Sequence, residues 1–169
     1  MSNDAPETGR SSVDRVRQAL AELGLETEIK QFAAWTRTSA DAAAAIGCSV
    51  AQIAKSLVFR AKPSGRAILV MASGANRVDE KKLAAALNES MPGATIAKAD
   101  ADFVRAETGF AIGGVSPVGH GLKVKTFIDR DLMDLGEIWA AAGSPNSVFR
   151  LTPQDLLRVT QGQIVALKL

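Results

Sequence analysis

A chain of 169 residues has the length of one domain, and its 47% hydrophobic and 22% charged residues are ordinary for a globular protein that buries a core. No apolar run approaches the roughly 18 residues that a membrane span requires. We therefore expect no membrane partner. The formal net charge of +2 is far below that of proteins that bind a DNA duplex non-specifically, so we expect no DNA partner either. A cluster of cations would still allow binding of another nucleic acid.

The chain begins with a mainly polar segment at residues 1–10, which we predict to be a disordered tail, and continues as one domain over residues 11–169. Capping residues followed by apolar residues at helical spacing predict helices over residues 12–23, 41–46, 80–87, 101–108, 130–135 and 153–161. Apolar or alternating runs bounded by turn residues predict strands over residues 28–32, 53–60, 67–72, 94–98, 110–112, 124–129, 137–142, 148–151 and 164–169. Several strands are linked as hairpins, so we expect a mixed sheet with helices packed around it.

Lys55 is the unusual residue of the predicted strand over residues 53–60. The period of two places Lys55, Leu57 and Phe59 on one face, with Ser56 on the other. Lysine is almost never fully buried without a partner. Lys55 therefore either lies at a strand end and extends into solvent, or projects into a polar pocket. The pattern alone leaves both alternatives open.

The stretch Thr-Gly-Phe-Ala-Ile-Gly-Gly-Val-Ser-Pro-Val-Gly-His at 108–120 opens like a buried strand and then becomes a loop. The loop contains Gly113 and Pro117 and ends at His120, the only histidine of the chain. Glycine allows positive φ and a close approach to a ligand, and proline stiffens the loop. Consecutive N–H groups in such a turn can bind an anion or a polarised carbonyl group. An ordinary glycine-rich hairpin is the alternative.

The residue types that the chain lacks exclude several familiar enzymes. One histidine and one cysteine cannot supply a structural zinc site, and we expect neither a metal nor a cofactor. The sequence has no Gly-x-Ser-x-Gly motif, no Gly-x4-Gly-Lys-Ser/Thr phosphate loop and no Gly-x-Gly-x-x-Gly spacing. The single cysteine is compatible with a reducing compartment, so we expect a cytoplasmic protein.

Three segments together carry a resemblance: Ala-Lys-Ser-Leu-Val-Phe at 54–59, the glycine-rich stretch at 108–120 and Thr-Phe-Ile-Asp at 126–129. In order and spacing they resemble the YbaK/ProX family of aminoacyl-tRNA deacylases, which also occurs as an editing insertion in bacterial prolyl-tRNA synthetases. The resemblance covers roughly residues 12–169. The lysine segment or the glycine segment alone would be a weak indication.

The resemblance implies a mixed α/β fold, with a curved, barrel-like mixed sheet surrounded by helices in a single domain. It also implies a trans-editing deacylase that hydrolyses the ester of a mischarged tRNA, usually tRNA for proline carrying a small amino acid such as Ala, Ser, Thr, Cys or an analogue. The expected partner is the acceptor end of that tRNA, with docking to prolyl-tRNA synthetase left open. The alternative is a non-catalytic tRNA- or nucleotide-binding module of the same fold.

The same resemblance assigns catalytic roles to Lys55 and Gly113. Lys55 matches the lysine that holds the phosphate or carbonyl end of the substrate, and Gly113 matches the first position of a Gly-x-x-x-Pro loop whose backbone contacts the aminoacyl group. An aminoacyl ester is already activated, so the enzyme mainly has to position it and stabilise negative charge on its carbonyl oxygen. Backbone N–H groups and one cation can do this without a side-chain nucleophile. The resemblance further implies that the 2′-hydroxyl of the terminal adenosine assists the attacking water.

The substrate-binding residues implied by the resemblance are the rest of the loop, an acid at a strand end and the residue after the lysine: Gly114, Val115, Ser116, Pro117, His120, Asp129 and Ser56. Ser56 stands where the alanine-specific branch has Asn, and His120 stands where the cysteine-specific branch has Gln. The amino acid that is removed is therefore not fixed. His120 either lines the pocket or only caps the loop, and Ser116 either contacts the substrate or only makes the turn.

Overall fold

The computed structural model describes residues 11–34, 36–120 and 124–169, so the predicted tail at residues 1–10 lies outside the described residues. Within these ranges the chain forms one mixed sheet of eight strands with five α-helices, which confirms the predicted mixed α/β single domain. The strands are β1 (Ile29–Gln31), β2 (Ile53–Lys62), β3 (Ala67–Ser73), β4 (Thr95–Lys98), β5 (Lys125–Asp129), β6 (Ile138–Ala141), β7 (Ser147–Leu151) and β8 (Gln163–Val165). The helices are α1 (Ser12–Glu22), α2 (Ser39–Ile46), α3 (Glu80–Ser90), α4 (Ala101–Thr108) and α5 (Pro153–Thr160), with 3-10 segments at Val50–Gln52 and Arg130–Asp134.

The helices begin where their capping residues predict. Each starts after a side chain that accepts a hydrogen bond from a first-turn N–H, and these residues are Ser11, Thr38, Asp79, Asp100 and Thr152. α2 and α4 end at Gly47 and Gly109, whose φ values of 88° and 80° cost glycine little. Local sequence therefore sets the positions of the helix ends that surround the site.

The sheet is built around β2 and β3, which form the predicted hairpin. The strand order is β1-β7-β6-β2-β3-β5-β8, with β4 added beside β2. The β2–β6, β3–β5 and β5–β8 pairs are parallel, and the other pairs are antiparallel. The outermost strands β1 and β8 do not pair with each other in the described residues, so the sheet stays open rather than closing into a complete barrel.

One side of β2 is paired only at its two ends. Ile53 and Ala54 pair with β6, and residues 59–62 pair with β4. Residues 55–58 face no strand on that side in the described part of the chain. We call this break between β6 and β4 the sheet opening, and the candidate site lies against it.

The predicted strand over residues 110–112 is wrong, because these residues form a turn after α4. Phe110 is 1% exposed, since its ring packs between the Arg15 guanidinium, 4.9 Å from the ring centroid, and the ring of His120. Ile112, by contrast, is 55% exposed. The apolar run reflects one side chain that anchors a loop, and not a strand that joins the sheet.

One further strand prediction needs correction. The last strand, predicted over residues 164–169, is shortened to β8, and Lys168 forms only an isolated bridge to Val78. The strand predicted over residues 124–129 is observed as β5, which pairs with β3 and β8. Which strands become neighbours depends on contacts distant in sequence.

Candidate active site

A cavity of about 240 Å³ lies against the sheet opening. Four parts of the chain surround it: the segment that leads into α2, the beginning of β2, the glycine loop at residues 113–115, and the hairpin that joins β6 to β7. Small-molecule sites usually enclose about 300–1,000 Å³. The cavity is therefore suited to a small group and not to a complete nucleotide.

Lys55 lies in the wall of this cavity and is half-buried. Phe59, which shares its face of β2, packs into the core beside α3. The Lys55 ammonium donates a hydrogen bond to the main-chain carbonyl of Asn76. Burial and the nearby Arg77 guanidinium lower the pKa of Lys55, whereas the Asp129 carboxylate raises it. The strand thus presents a cation that is held in place beside the cavity.

Asn76, which no sequence motif singled out, connects Lys55 to two carboxylates. Its side chain is buried, and Nδ2 donates to Asp129 Oδ2 at 2.9 Å and to Asp131 Oδ2 at 2.8 Å. Asp129 is 1% exposed and accepts the Asp131 N–H as the cap of a 3-10 segment. The carboxylate of Asp129 therefore acts on Lys55 through its charge and through the position of Asn76. The only sequence signal for Asn76 was its place in a polar loop after a buried strand.

The glycine loop packs directly on the hairpin between β6 and β7. Gly113 has φ = 90°, a conformation that favours glycine. A Cβ on Gly114 would lie 2.7 Å from Ser144 Cα and 2.8 Å from its carbonyl carbon, so the two backbones touch. Val115 is 3% exposed and lines the cavity together with Gly113. This contact explains why two consecutive glycines occur here.

Ser116 and His120 stabilise the conformation of the loop through hydrogen bonds. Ser116 is fully buried, and its Oγ accepts the Val118 N–H at 3.2 Å. His120 Nε2 donates to the Ser116 carbonyl at 2.7 Å, which requires the proton on Nε2 because a carbonyl only accepts. Burial lowers the pKa of His120. The His120 ring also meets the Phe110 ring edge-on, with centroids 6.1 Å apart.

The predicted site residues divide into two groups. Those that line the cavity are Lys55, Ser56, Gly113 and Val115. Those that lie outside its lining, as the described residues define it, are Gly114, Ser116, Pro117, His120 and Asp129. Gly114, Ser116 and Pro117 belong to the glycine loop, and His120 bonds to this loop at the Ser116 carbonyl. Asp129 accepts a hydrogen bond from Asn76, the residue whose main-chain carbonyl holds Lys55.

Sequence reasoning missed another part of the cavity wall. The start of α2 lies there, with Thr38 as its N-cap, and the positive end of a helix favours negative charge. Beside it Ile53, Trp139 and Val148 form a buried apolar surface. The sequence predicts Thr38 or Ser39 as the cap of this helix, and Thr38 is the cap observed. The position of the cap at the cavity depends on tertiary packing that no local pattern encodes.

The arrangement can bind a polarised carbonyl group or an anion. Among the described residues, no Cys, His, Asp or Glu lines the cavity, and no three such side chains are grouped as metal ligands. Hydrolysis in this cavity would therefore use electrostatic stabilisation and a water molecule, with no acidic or imidazole side chain in the lining as the base. None of the helices in the described ranges has the length and apolar composition to cross a bilayer.

Comparison with known proteins gives the class. The family model for the aminoacyl-tRNA editing domain matches residues 33–159, so the chain belongs to the aminoacyl-tRNA editing domain family. This confirms the resemblance to the YbaK/ProX deacylases. The uncharacterized protein YwhH of Bacillus subtilis (strain 168) is 32% identical over 145 residues, covering 86% of this chain and 88% of that protein.

Two solved structures share the fold over most of their length. The crystal structure of a "putative trans-editing enzyme for prolyl tRNA synthetase" is 42% identical, with a TM-score of 0.86 over 94% of this chain and 97% of that chain. The hypothetical protein APE2540 is 25% identical, with a TM-score of 0.78 over 89% of this chain and 98% of that chain.

Proposed function

We propose that the protein is a cytoplasmic, trans-editing aminoacyl-tRNA deacylase. It hydrolyses the ester of a mischarged tRNA, namely tRNA for proline carrying a small amino acid such as Ala, Ser, Thr, Cys or an analogue. The observation that carries this proposal is that Lys55 and Gly113 line the same small cavity. The editing-domain family and the similarity to the trans-editing structure support the choice of substrate.

In the proposed reaction the ester carbonyl lies between Lys55 and the glycine loop. Water attacks the carbonyl carbon, and negative charge develops on the carbonyl oxygen. The Lys55 ammonium and the Gly113 N–H stabilise this charge, whereas the Gly114 N–H already donates to the Ala111 carbonyl at 3.0 Å. One well-placed oxyanion donor contributes roughly 10²–10³ in rate, so a cation and one or two N–H groups suffice for an activated ester. The tetrahedral intermediate then breaks the acyl C–O bond, and the proton given up by the water passes to the departing ribose oxygen, which leaves as a hydroxyl group. The neighbouring 2′-hydroxyl of the same ribose positions the water.

The proposed choice of a small amino acid follows from the size of the cavity. With about 240 Å³ available and an apolar wall at Ile53, Trp139 and Val148, a short side chain fits beside the reacting carbonyl. The tRNA itself remains outside, with its acceptor end at the cavity mouth. Arg37 is exposed there and is placed to meet a phosphate. Prolyl-tRNA synthetase is the proposed source of the mischarged tRNA.

A panel of charged tRNAs tests this function. tRNA for proline is charged separately with Ala, Ser, Thr, Cys and Pro, and amino acid release is measured with and without the protein. We expect release of at least one small amino acid while prolyl-tRNA is spared. Salt-dependent binding of the charged tRNA without release of any amino acid would contradict the hydrolase and favour a non-catalytic binding module.

A further inference from the structure

The direction of main-chain hydrogen bonds along β2 can be assigned residue by residue. In an antiparallel pair, alternate residues direct both N–H and C=O toward the same neighbouring strand. The Ala61 N–H donates to the Arg66 carbonyl at 2.8 Å, and the Gly74 N–H donates to the Ile53 carbonyl at 2.7 Å. The odd-numbered residues of β2 therefore bond to β3. The even-numbered residues, including Ser56, direct their N–H and C=O to the other side.

On that other side Ser56 faces the sheet opening. The parallel ladder with β6 reaches Ala54, paired with Ala140, and goes no further. One more step would bond the Ser56 N–H to the Ala141 carbonyl, but the chain turns away, with the Ala142 N–H donating within the β6–β7 hairpin. The ladder with β4 begins only at Phe59. In the described part of the chain, both main-chain groups of Ser56 thus lack a hydrogen-bond partner.

These two groups point into the sheet opening, against which the cavity lies. Ser56 is half-buried and lines this cavity together with Gly113 and Val115. Half-buried main-chain polar groups need a partner, which is either water or a ligand. One N–H donor and one C=O acceptor that point the same way are the groups with which a strand residue binds one residue of a neighbouring strand.

We infer that the main chain of Ser56 binds the aminoacyl group as a single-residue addition to the sheet. The Ser56 N–H donates to the carbonyl oxygen of the ester, and the Ser56 carbonyl accepts a hydrogen bond from the α-ammonium group. This inference rests on the proposed function, because it takes an aminoacyl ester as the ligand. It identifies the recognised unit as the amino acid backbone, so the side chain is selected by the remaining walls of the cavity.

Amide-resolved NMR on the full chain tests this directly. In the free protein we expect the Ser56 amide to exchange with solvent at least roughly tenfold faster than the Leu57 amide, which bonds to β3. The probe is 3′-deoxy-3′-(L-alanylamino)adenosine, which replaces the labile ester with an amide. On its addition the Ser56 amide proton should shift downfield and exchange more slowly, while Leu57 stays unchanged. The matched control, 3′-amino-3′-deoxyadenosine, lacks the aminoacyl group and should leave Ser56 unshifted.

Three results would overturn the inference. The first is a Ser56 amide as protected as Leu57 in the free protein. The second is a probe that changes the chemical shift of the Gly113 amide but not that of the Ser56 amide. The third is a probe that changes neither amide signal. Deacylation by the same preparation separates this inference from the proposed function. If the protein hydrolyses the ester but the probe does not change the Ser56 amide signal, only the inference is refuted. If the probe changes the Ser56 amide signal but no ester is hydrolysed, the proposed reaction is refuted and the binding mode stands.

Discussion

The ammonium of Lys55 donates to the main-chain carbonyl of Asn76, and the side chain of Asn76 in turn donates to Asp129 and Asp131. One buried amide thus links the cation of the cavity to two carboxylates that come more than fifty residues later in the chain. The position of the cation is therefore set by three elements: β2, the loop after β3, and the end of β5.

The first prediction concerns Asn76→Ala. Removing the amide takes away the hydrogen bonds to Asp129 Oδ2 and Asp131 Oδ2 and leaves Asp129, among the described residues, with only the Asp131 N–H, which we expect to cost about 1–3 kcal/mol of stability. A misplacement of about 1 Å can cost roughly 100-fold in rate, so deacylation should fall at least roughly tenfold. The control is Asn88→Ala, which removes an amide bonded to the Ala94 carbonyl far from the cavity. Equal activity in the two variants, at matched folded fractions, would refute a positioning role for Asn76.

The second prediction concerns the alkaline limit of activity. Burial and Arg77 lower the pKa of Lys55, so its ammonium form, and with it deacylation, is present at low pH and is lost as pH rises through a pKa below 10.5. Arg77→Ala removes a cause of lowering and should move this limit to higher pH. Asp129→Asn removes the charge that raises the pKa and should move the limit to lower pH. Rates are corrected for spontaneous ester hydrolysis, and shifts of both variants in one direction would count against the assignment.

The third prediction concerns the contact between the glycine loop and the β6–β7 hairpin. The Cβ of Gly114→Ala would come within 2.7 Å of the Ser144 backbone, so the loop has to move away from the hairpin. We expect about 1–3 kcal/mol of destabilisation in urea unfolding, together with lost deacylation. Gly136→Ala is the matched control, because its Cβ would meet nothing within 4 Å. A Gly114→Ala protein that behaves like the control would contradict this packing.

The fourth prediction concerns stability at mildly acidic pH. Burial lowers the pKa of His120 in the folded state from its ordinary value of 6.5, so below that pH the unfolded chain binds more protons than the folded one. The contribution of neutral His120 is complete above pH 6.5 and is lost as pH falls toward the lowered pKa. His120→Gln keeps a donor for the Ser116 carbonyl without this titration. The difference in unfolding free energy between wild type and variant should therefore shrink as pH falls, and a pH-independent difference would contradict the burial of His120.

Local features of the fold were predictable from the sequence, because they depend on residues close together in the chain. The caps at Ser11 and Thr38 and the hairpin between β2 and β3 are of this kind. Neighbour relations were not predictable: the run at residues 110–112 satisfies a strand pattern, yet Phe110 is fixed by Arg15 and His120 from elsewhere in the chain.

The candidate site shows the same limit. Lys55 and the glycine loop were identified by their residue types and spacing. The role of Asn76 as a connector, and the unpaired main chain of Ser56, arise only when strands and loops distant in sequence come together. A side-chain motif does not indicate where the pairing of β6 and β4 with β2 ends, and therefore which main-chain groups of β2 remain unpaired.

The most direct test of the account compares single-turnover hydrolysis of alanyl-tRNA for proline by wild type, Lys55→Ala and Lys98→Ala. Lys98 is exposed on β4, pairs opposite Phe59, and lies outside the cavity lining, so it controls for the loss of one positive charge. We expect Lys55→Ala to unfold like wild type and to lose roughly 100-fold or more in rate, while Lys98→Ala stays close to wild type. A folded Lys55→Ala protein that hydrolyses this substrate as fast as Lys98→Ala would contradict the central claim.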